Sequence, residues 1–192
     1  MDNQLQIMDQ AFREFTARVD AIPAGGWDSP TPATEWTVRD LVAHVLDEHL
    51  WVPPLVHGHD LETAEQIVKG AQSTREGDDL KAQWHSAADA SAQAFGEPDA
   101  LGREVSLSRG PTPCGQYLDE MIFDLVVHGW DLGKAVGYPD PIPDSLAEPV
   151  FEAVKDMGDL SSFGDMFAPP VSVPDDASTL DKLVAHTGRN PR

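Results

Sequence analysis

Asp124 and His128 stand one helical turn apart in the stretch FDLVVHGWDLGKAVG, beside a run of apolar residues. Either side chain is costly to bury without a partner. At about 100° per residue, Leu118, Met121, Ile122, Leu125, Leu132 and Val136 form one apolar arc. His128 sits at the edge of that arc, and Asp124 lies about 40° further round, so the two side chains can converge on one point. A carboxylate and an imidazole placed this way make two thirds of a metal site, which a histidine on a facing helix would complete.

The stretch LVAHVLDEHLW offers that histidine. Leu41, Val45, Val52 and Leu55 mark an inner face, flanked by His44 and Glu48, while His49 falls near the middle of the apolar arc. His44 or His49 supplies the third donor. Glu48 is either a fourth ligand or the acceptor that orients a ligand histidine. Two imidazoles and a carboxylate suit a borderline divalent ion: zinc first, with nickel or ferrous iron as alternatives. Three protein ligands leave a position open to water or substrate. The competing reading of Asp-x-x-x-His is a plain helical ion pair, worth only a few tenths of a kcal/mol.

Other reactive groups carry less. His57 and His59 form a His-x-His pair around Gly58 in a loop, His85 lies on a polar helix, and His186 lies in the tail. Cys114 is the one cysteine, so no intrachain disulfide and no cysteine zinc cluster can form. It falls in the first turn of a helix without a histidine placed beside it, which reads as structural. No glycine-rich phosphate loop and no Gly-x-Ser-x-Gly occurs.

Helices must position these groups. Leu5, Met8, Phe12, Phe15 and Val19 recur at helical spacing and predict a helix over residues 3–20. The loop IPAGGWDSPTPATEW follows, with Trp27 and Trp36 pinning it to the body. Thr37 and Asp40 form a capping box for a second helix that breaks near Pro53 and Pro54. A third helix is expected over residues 71–95, stopped by Gly96. A short extended piece surrounds Val105 and Leu107. Thr112 then caps a fourth helix, with Pro113 at its first position and Gly137 at its end. After the linker YPDPIPDS, a helix is expected over residues 144–157, and Asp176 caps a last one that ends before Gly188. Four long helices with few strands predict an all-α, up-and-down four-helix bundle with short accessory helices.

The chain of 192 residues suits one domain, residues 1–192, with residues 138–192 as a C-terminal extension packed on it. An apolar fraction of 41% with 24% charged residues excludes wholesale disorder. The formal charge of −20 repels phosphate backbones and anionic lipid, so neither nucleic acid nor membrane is an expected partner. MDNQLQIMDQAFREF lacks the basic and apolar regions of a signal peptide, and no apolar run approaches a membrane span, which points to the cytoplasm. Phe123, Val127 and Trp130 lie on the side of the fourth helix away from its main apolar arc. A second apolar side needs a second cover: a homodimer partner, or the segment with Phe163, Met166 and Phe167.

At these residues the chain resembles a known family. WDSPTPATEWTVRDLVAHVLDEHLW is similar to the opening of the mycothiol-dependent maleylpyruvate isomerase N-terminal domain, within the DinB-like metalloprotein superfamily. FDLVVHGWDLGKAVG resembles its second metal motif, and FAPPVSVPDDASTLDKLVAHTGRNP resembles the tail of an actinobacterial subgroup. The resemblance covers nearly the whole chain. It implies a DinB-like four-helix bundle holding a divalent metal, often zinc, with a His-carboxylate-His triad. Carried over, the triad falls on His44, Asp124 and His128, with Asp124 where the isomerase has Glu.

The resemblance further implies an enzyme that uses a low-molecular-weight thiol such as mycothiol as cosubstrate. It would transfer that thiol to a small electrophile or isomerise one, and no cysteine nucleophile would be needed. Two other functions compete: a metal-dependent hydrolase working through bound hydroxide, and a noncatalytic bundle that binds a metal or a small ligand. Turnover that requires added thiol separates the thiol enzyme from the hydrolase, and tight metal binding without turnover favours the noncatalytic bundle.

Overall fold

The computed structural model describes residues 3–33, 35–73, 79–163 and 167–192. Its first helix, α1 (Asn3–Asp20), buries Met8, Ala11, Phe12, Phe15 and Val19, the spacing read from the sequence. The second, α2 (Val38–Val56), starts at the expected capping box: Asp40 N–H donates to Thr37 Oγ1 at 3.2 Å, and Thr37 N–H donates to Asp40 Oδ2 at 3.0 Å. It does not break at Pro53 and Pro54 but runs through them to Val56. Pro53 has no N–H to give the His49 carbonyl. The Ser91 hydroxyl supplies the missing donor at 2.9 Å, so the His49 carbonyl is satisfied as the helix continues.

The helix expected over residues 71–95 is two helices, and residues 74–78 lie outside the described residues. Ala71 belongs to α3 (Leu61–Ser73), and α4 (Leu80–Phe95) starts at Asp79, whose side chain accepts from Ala82 N–H. A short antiparallel hairpin follows, β1 (Glu104–Leu107) and β2 (Gly110–Pro113), paired Val105 to Thr112. Thr112 therefore sits in a strand rather than capping the next helix, and α5 (Cys114–Val136) begins one residue after Pro113. Gly137 ends α5 with φ +66°, as expected. The last two helices are α6 (Asp144–Val154) and α7 (Thr179–His186). The cap of α7 is Ser178, accepting from Asp181 N–H, and not Asp176.

The all-α DinB-like bundle is observed. Four long helices enclose the core, with α1 against α5 and α4, and α2 against α4 and α5. Their directions are more particular than simple alternation. Gln4 near the start of α1 reaches Gly115 at the start of α5, so these two run parallel. His49 meets Ser91 and His57 meets Glu97, so α2 and α4 also run parallel. Parallel neighbours need a crossover. Helix α3, about 20 Å long at 1.5 Å per residue, lies on α2 and occupies this connection. The consequence for the site is that α2 and α5 are antiparallel neighbours, with Trp36 and His44 opposite His128 and Asp124.

Helices α6 and α7 pack on each other and on α5. The second apolar side of α5 is thus covered from within the chain. Val127 and Trp130 are buried, and Phe123 meets Phe167 edge to face with centroids 6.0 Å apart. Of the other residues expected in that cover, Met166 and the side chain of Phe163 lie outside what is described. No described helix is long and apolar enough to cross a membrane.

Candidate metal centre

Helix α5 presents Asp124 and His128 one turn apart, with Asp124 Oδ1 3.3 Å from His128 Nε2. From α2, His44 Nε2 approaches the same carboxylate oxygen at 3.9 Å. One donor atom from each of His44, Asp124 and His128 lies within 4.8 Å of the other two. Ligand atoms about 2.0–2.1 Å from a tetrahedral ion sit about 3.3–3.4 Å apart, so the Asp124–His128 edge already has that length and the His44–Asp124 edge, at 3.9 Å, is somewhat longer. Asp124 Oδ2 is buried and has no hydrogen-bond partner. A carboxylate oxygen left that way is costly, and a cation among the three donors would satisfy it. The donor set therefore fits a borderline divalent ion.

The tautomer of His128 fits as well. Its Nδ1 lies 3.0 Å from Asp131 Oδ2, so Nδ1 carries the proton and Nε2 turns its lone pair to the site. Asp131 is fully buried and is gripped by Arg189, whose Nε and Nη2 donate to it at 3.0 and 2.8 Å. Sequence reading missed both residues. The i,i+3 spacing of His128 and Asp131 was visible within one motif, whereas nothing local marks Arg189, which lies 58 positions from Asp131.

Trp36 does more than pin its loop. Its ring stacks on His128 with centroids 5.6 Å apart and lies 4.7 Å from His44. The Trp36 carbonyl accepts from Thr31 N–H and Thr31 Oγ1, both at 3.0 Å, which holds the turn that aims the indole. The indole covers one side of both imidazoles. Beyond them opens a cavity of about 1200 Å³, whose wall also carries Glu48, Arg109, Phe123 and Arg189. That is space for a small molecule larger than either imidazole alone could recruit.

Charge in the site is tightly shared. Burial pulls the His44 pKa down, but the Asp124 carboxylate more than compensates, leaving it above 6.5. Burial raises Asp124, yet the facing histidines hold it below its ordinary value. Glu48 is raised by burial and by the negative charge of Asp124. Asp131 stays low despite burial, because His128 and Arg189 both hydrogen-bond to its charged form.

The remaining histidines do not join the cluster. His49 is fully buried between the Phe12 and Trp84 rings, and its Nδ1 donates to Ser91 Oγ at 3.1 Å. It is a core residue, which resolves the choice between His44 and His49 as neighbours of Asp124. Glu48 lines the cavity but is not one of the three converging donors. His57 pairs with Glu97, His85 with Asp20, and His186 approaches the Val154 carbonyl. Cys114 is buried, which pushes its thiol up rather than activating it.

Fold and site together define a DinB-like helical-bundle protein with a His/Asp/His donor set shared between two antiparallel helices. Residues 8–133 match the mycothiol maleylpyruvate isomerase N-terminal domain family, and the chain belongs to that family. Two relatives from Mycobacterium tuberculosis, Uncharacterized protein Rv0738 and Uncharacterized protein MT0763, are each 28% identical over 193 residues, 97% of this chain and 96% of theirs. The crystal structure of mycothiol-dependent maleylpyruvate isomerase shares the fold, with a TM-score of 0.61 at 18% identity over 85% of this chain and 73% of that one. A mutant of the same isomerase matches over the same shares with a TM-score of 0.61 at 15% identity.

Proposed function

We propose that this protein is a metal-dependent cytoplasmic enzyme. It uses a low-molecular-weight thiol of the mycothiol kind to modify or isomerise a small electrophile. The observation that carries this reading is the convergence of His44, Asp124 and His128 at a roomy cavity, with Asp124 Oδ2 buried and unpartnered. Membership of a family named for a mycothiol-dependent isomerase supports the choice of thiol.

His44, Asp124 and His128 would hold the ion, zinc being the best match to two imidazoles and a carboxylate. When bound, a divalent ion supplies Lewis acidity that favours the thiolate over the thiol. The chain's own residues do the rest. Asp131 keeps the His128 proton on Nδ1. Trp36 covers one side of both imidazoles. Glu48, its carboxylate made more basic by burial, faces the same cavity and is the group placed to take up the proton that the thiol gives up. Buried Cys114 stays out of the chemistry.

Zinc-loaded protein is expected to accelerate conjugation of monobromobimane or chlorodinitrobenzene with mycothiol, and to do nothing without added thiol. An ester turned over in the absence of thiol would point to a hydrolase instead. No acceleration above background with any low-molecular-weight thiol would remove the reading.

The raised pKa of His44 adds a pH dependence. A histidine ligates only when deprotonated, so protons compete with the metal. The His44 pKa lies above 6.5, so zinc affinity is full well above that value and weakens as pH falls through it. Chelator competition from pH 8 to pH 6 should show this loss, and a flat profile would remove both imidazoles from the ligand set.

A further inference from the structure

The segment after α7 reaches the back of the candidate centre. Gly188 makes the turn with φ +83°, and a Cβ there would meet the Ala168 carbonyl oxygen at 2.5 Å, so only glycine fits. Arg189 N–H then bonds the Val184 carbonyl at 3.0 Å, fixing where its side chain begins. From there the guanidinium forks onto Asp131, with three contacts between 2.8 and 3.1 Å. Asp131 Oδ2, which takes the shortest of them, is also the oxygen 3.0 Å from His128 Nδ1. Arg189, Asp131 and His128 thus form one unbroken chain of charge-assisted hydrogen bonds between the tail and a donor of the site.

Resting on the metal reading above, we propose that Arg189 is a positioning residue of the centre, coupling docking of the tail to cation loading at His44, Asp124 and His128. The physical chain is short. Asp131 is fully buried, and Arg189 is the cation paired with it. Without Arg189 the carboxylate must find a proton or water, and its hold on the His128 ring loosens. Lysine could not replace it, because a point charge lacks the planar fork. In the other direction, a cation on Nε2 withdraws charge from the ring, strengthens the Nδ1–H bond to Asp131, and so tightens the tail. Coupling of two binding equilibria is reciprocal, so the same factor must appear in both.

The test measures zinc itself. Competition with a chromophoric chelator would compare wild type, Arg189→Ala, Asp131→Asn and the double variant. Loss of an orienting partner weakens metal sites about 10–100-fold, and Arg189→Ala should fall in that range. If Arg189 acts through Asp131, the double variant should bind zinc no more weakly than Asp131→Asn alone. A general loss of stability would instead make the two losses multiply, and that result overturns the proposal. So does an Arg189→Ala affinity equal to wild type.

Hydrogen exchange on the unmutated protein gives a second reading that survives if Arg189→Ala fails to fold. Added zinc should slow exchange in residues 184–189 of wild type and leave it unchanged in Asp131→Asn. No protection of the tail in zinc-loaded wild type overturns the coupling while leaving the metal site standing. A wild type that binds no zinc at all removes the metal reading and this proposal with it.

Discussion

His128→Ala protein binds zinc about two orders of magnitude more weakly than wild type and loses thiol conjugation with it. Structural zinc sites with four ligands have apparent binding free energies of about 10–16 kcal/mol, so one ligand accounts for roughly 3 kcal/mol. His44→Ala should lose a similar amount. Asp124→Asn should lose less: an amide oxygen remains where Oδ1 stood, but the charge that neutralises the ion is gone. Elemental analysis after equal metal exposure, with circular dichroism to confirm folding, reads all three. Wild-type stoichiometry in folded His128→Ala and His44→Ala would show that these imidazoles are not ligands. Loss of metal in His49→Ala alone would keep the bundle and move the site, which the burial of His49 against Phe12 and Trp84 argues against.

Stability falls by roughly 3 kcal/mol as pH drops from 6.5 to about 4, through His49 alone, at about 1.4 kcal/mol per pH unit. Complete burial depresses the His49 pKa to about 4 from an ordinary 6.5. Across that window the unfolded chain binds a proton that the folded chain refuses. Stability therefore rises with pH, is full above 6.5, and is lost as pH falls toward 4. His49→Gln keeps a neutral donor for Ser91 but removes the titration. Urea unfolding across this window should show a shallower pH slope for His49→Gln, with metal content unchanged at neutral pH. Slopes that superimpose would mean that His49 is protonated in the folded state, in spite of its surroundings. Protonation of carboxylates occurs in both proteins and cancels in the comparison.

Local spacing carried much of this molecule. The apolar period of α1, the Thr37–Asp40 capping box, the stop at Gly137 and the convergence of Asp124 with His128 all depend on residues within a turn or two of each other. Such features depend on backbone geometry that every helix shares, so they can be read before any packing is known. The same locality explains one misplacement. Pro53 reads as a breaker because its effect within the helix is destabilising. The compensating donor, Ser91, lies on α4, 42 positions from His49, and enters only when α2 and α4 pack. The stretch 71–95 reads as one weak helix only if its apolar spacing is followed past Gly77, a stop signal that lies within it. Asp79, just before Leu80, carries the cap signal that goes with that stop, and its side chain accepts from Ala82 N–H.

The amino-acid sequence by itself determined the helical class, the acidic net charge, and the pair of donors on α5. Tertiary structure alone decided which histidine of α2 meets them. His44 and His49 both lie near the inner face of α2, and the antiparallel packing of α2 on α5 brings His44 toward Asp124 and sends His49 into the core beside Trp84. It also placed Trp36 over both imidazoles and delivered Arg189 to Asp131 across 58 positions of chain. The reason is physical: a side chain's periodicity states which face of its helix it occupies. What that face meets is settled by how several apolar arcs are buried together, which is a property of the whole core and of no segment within it.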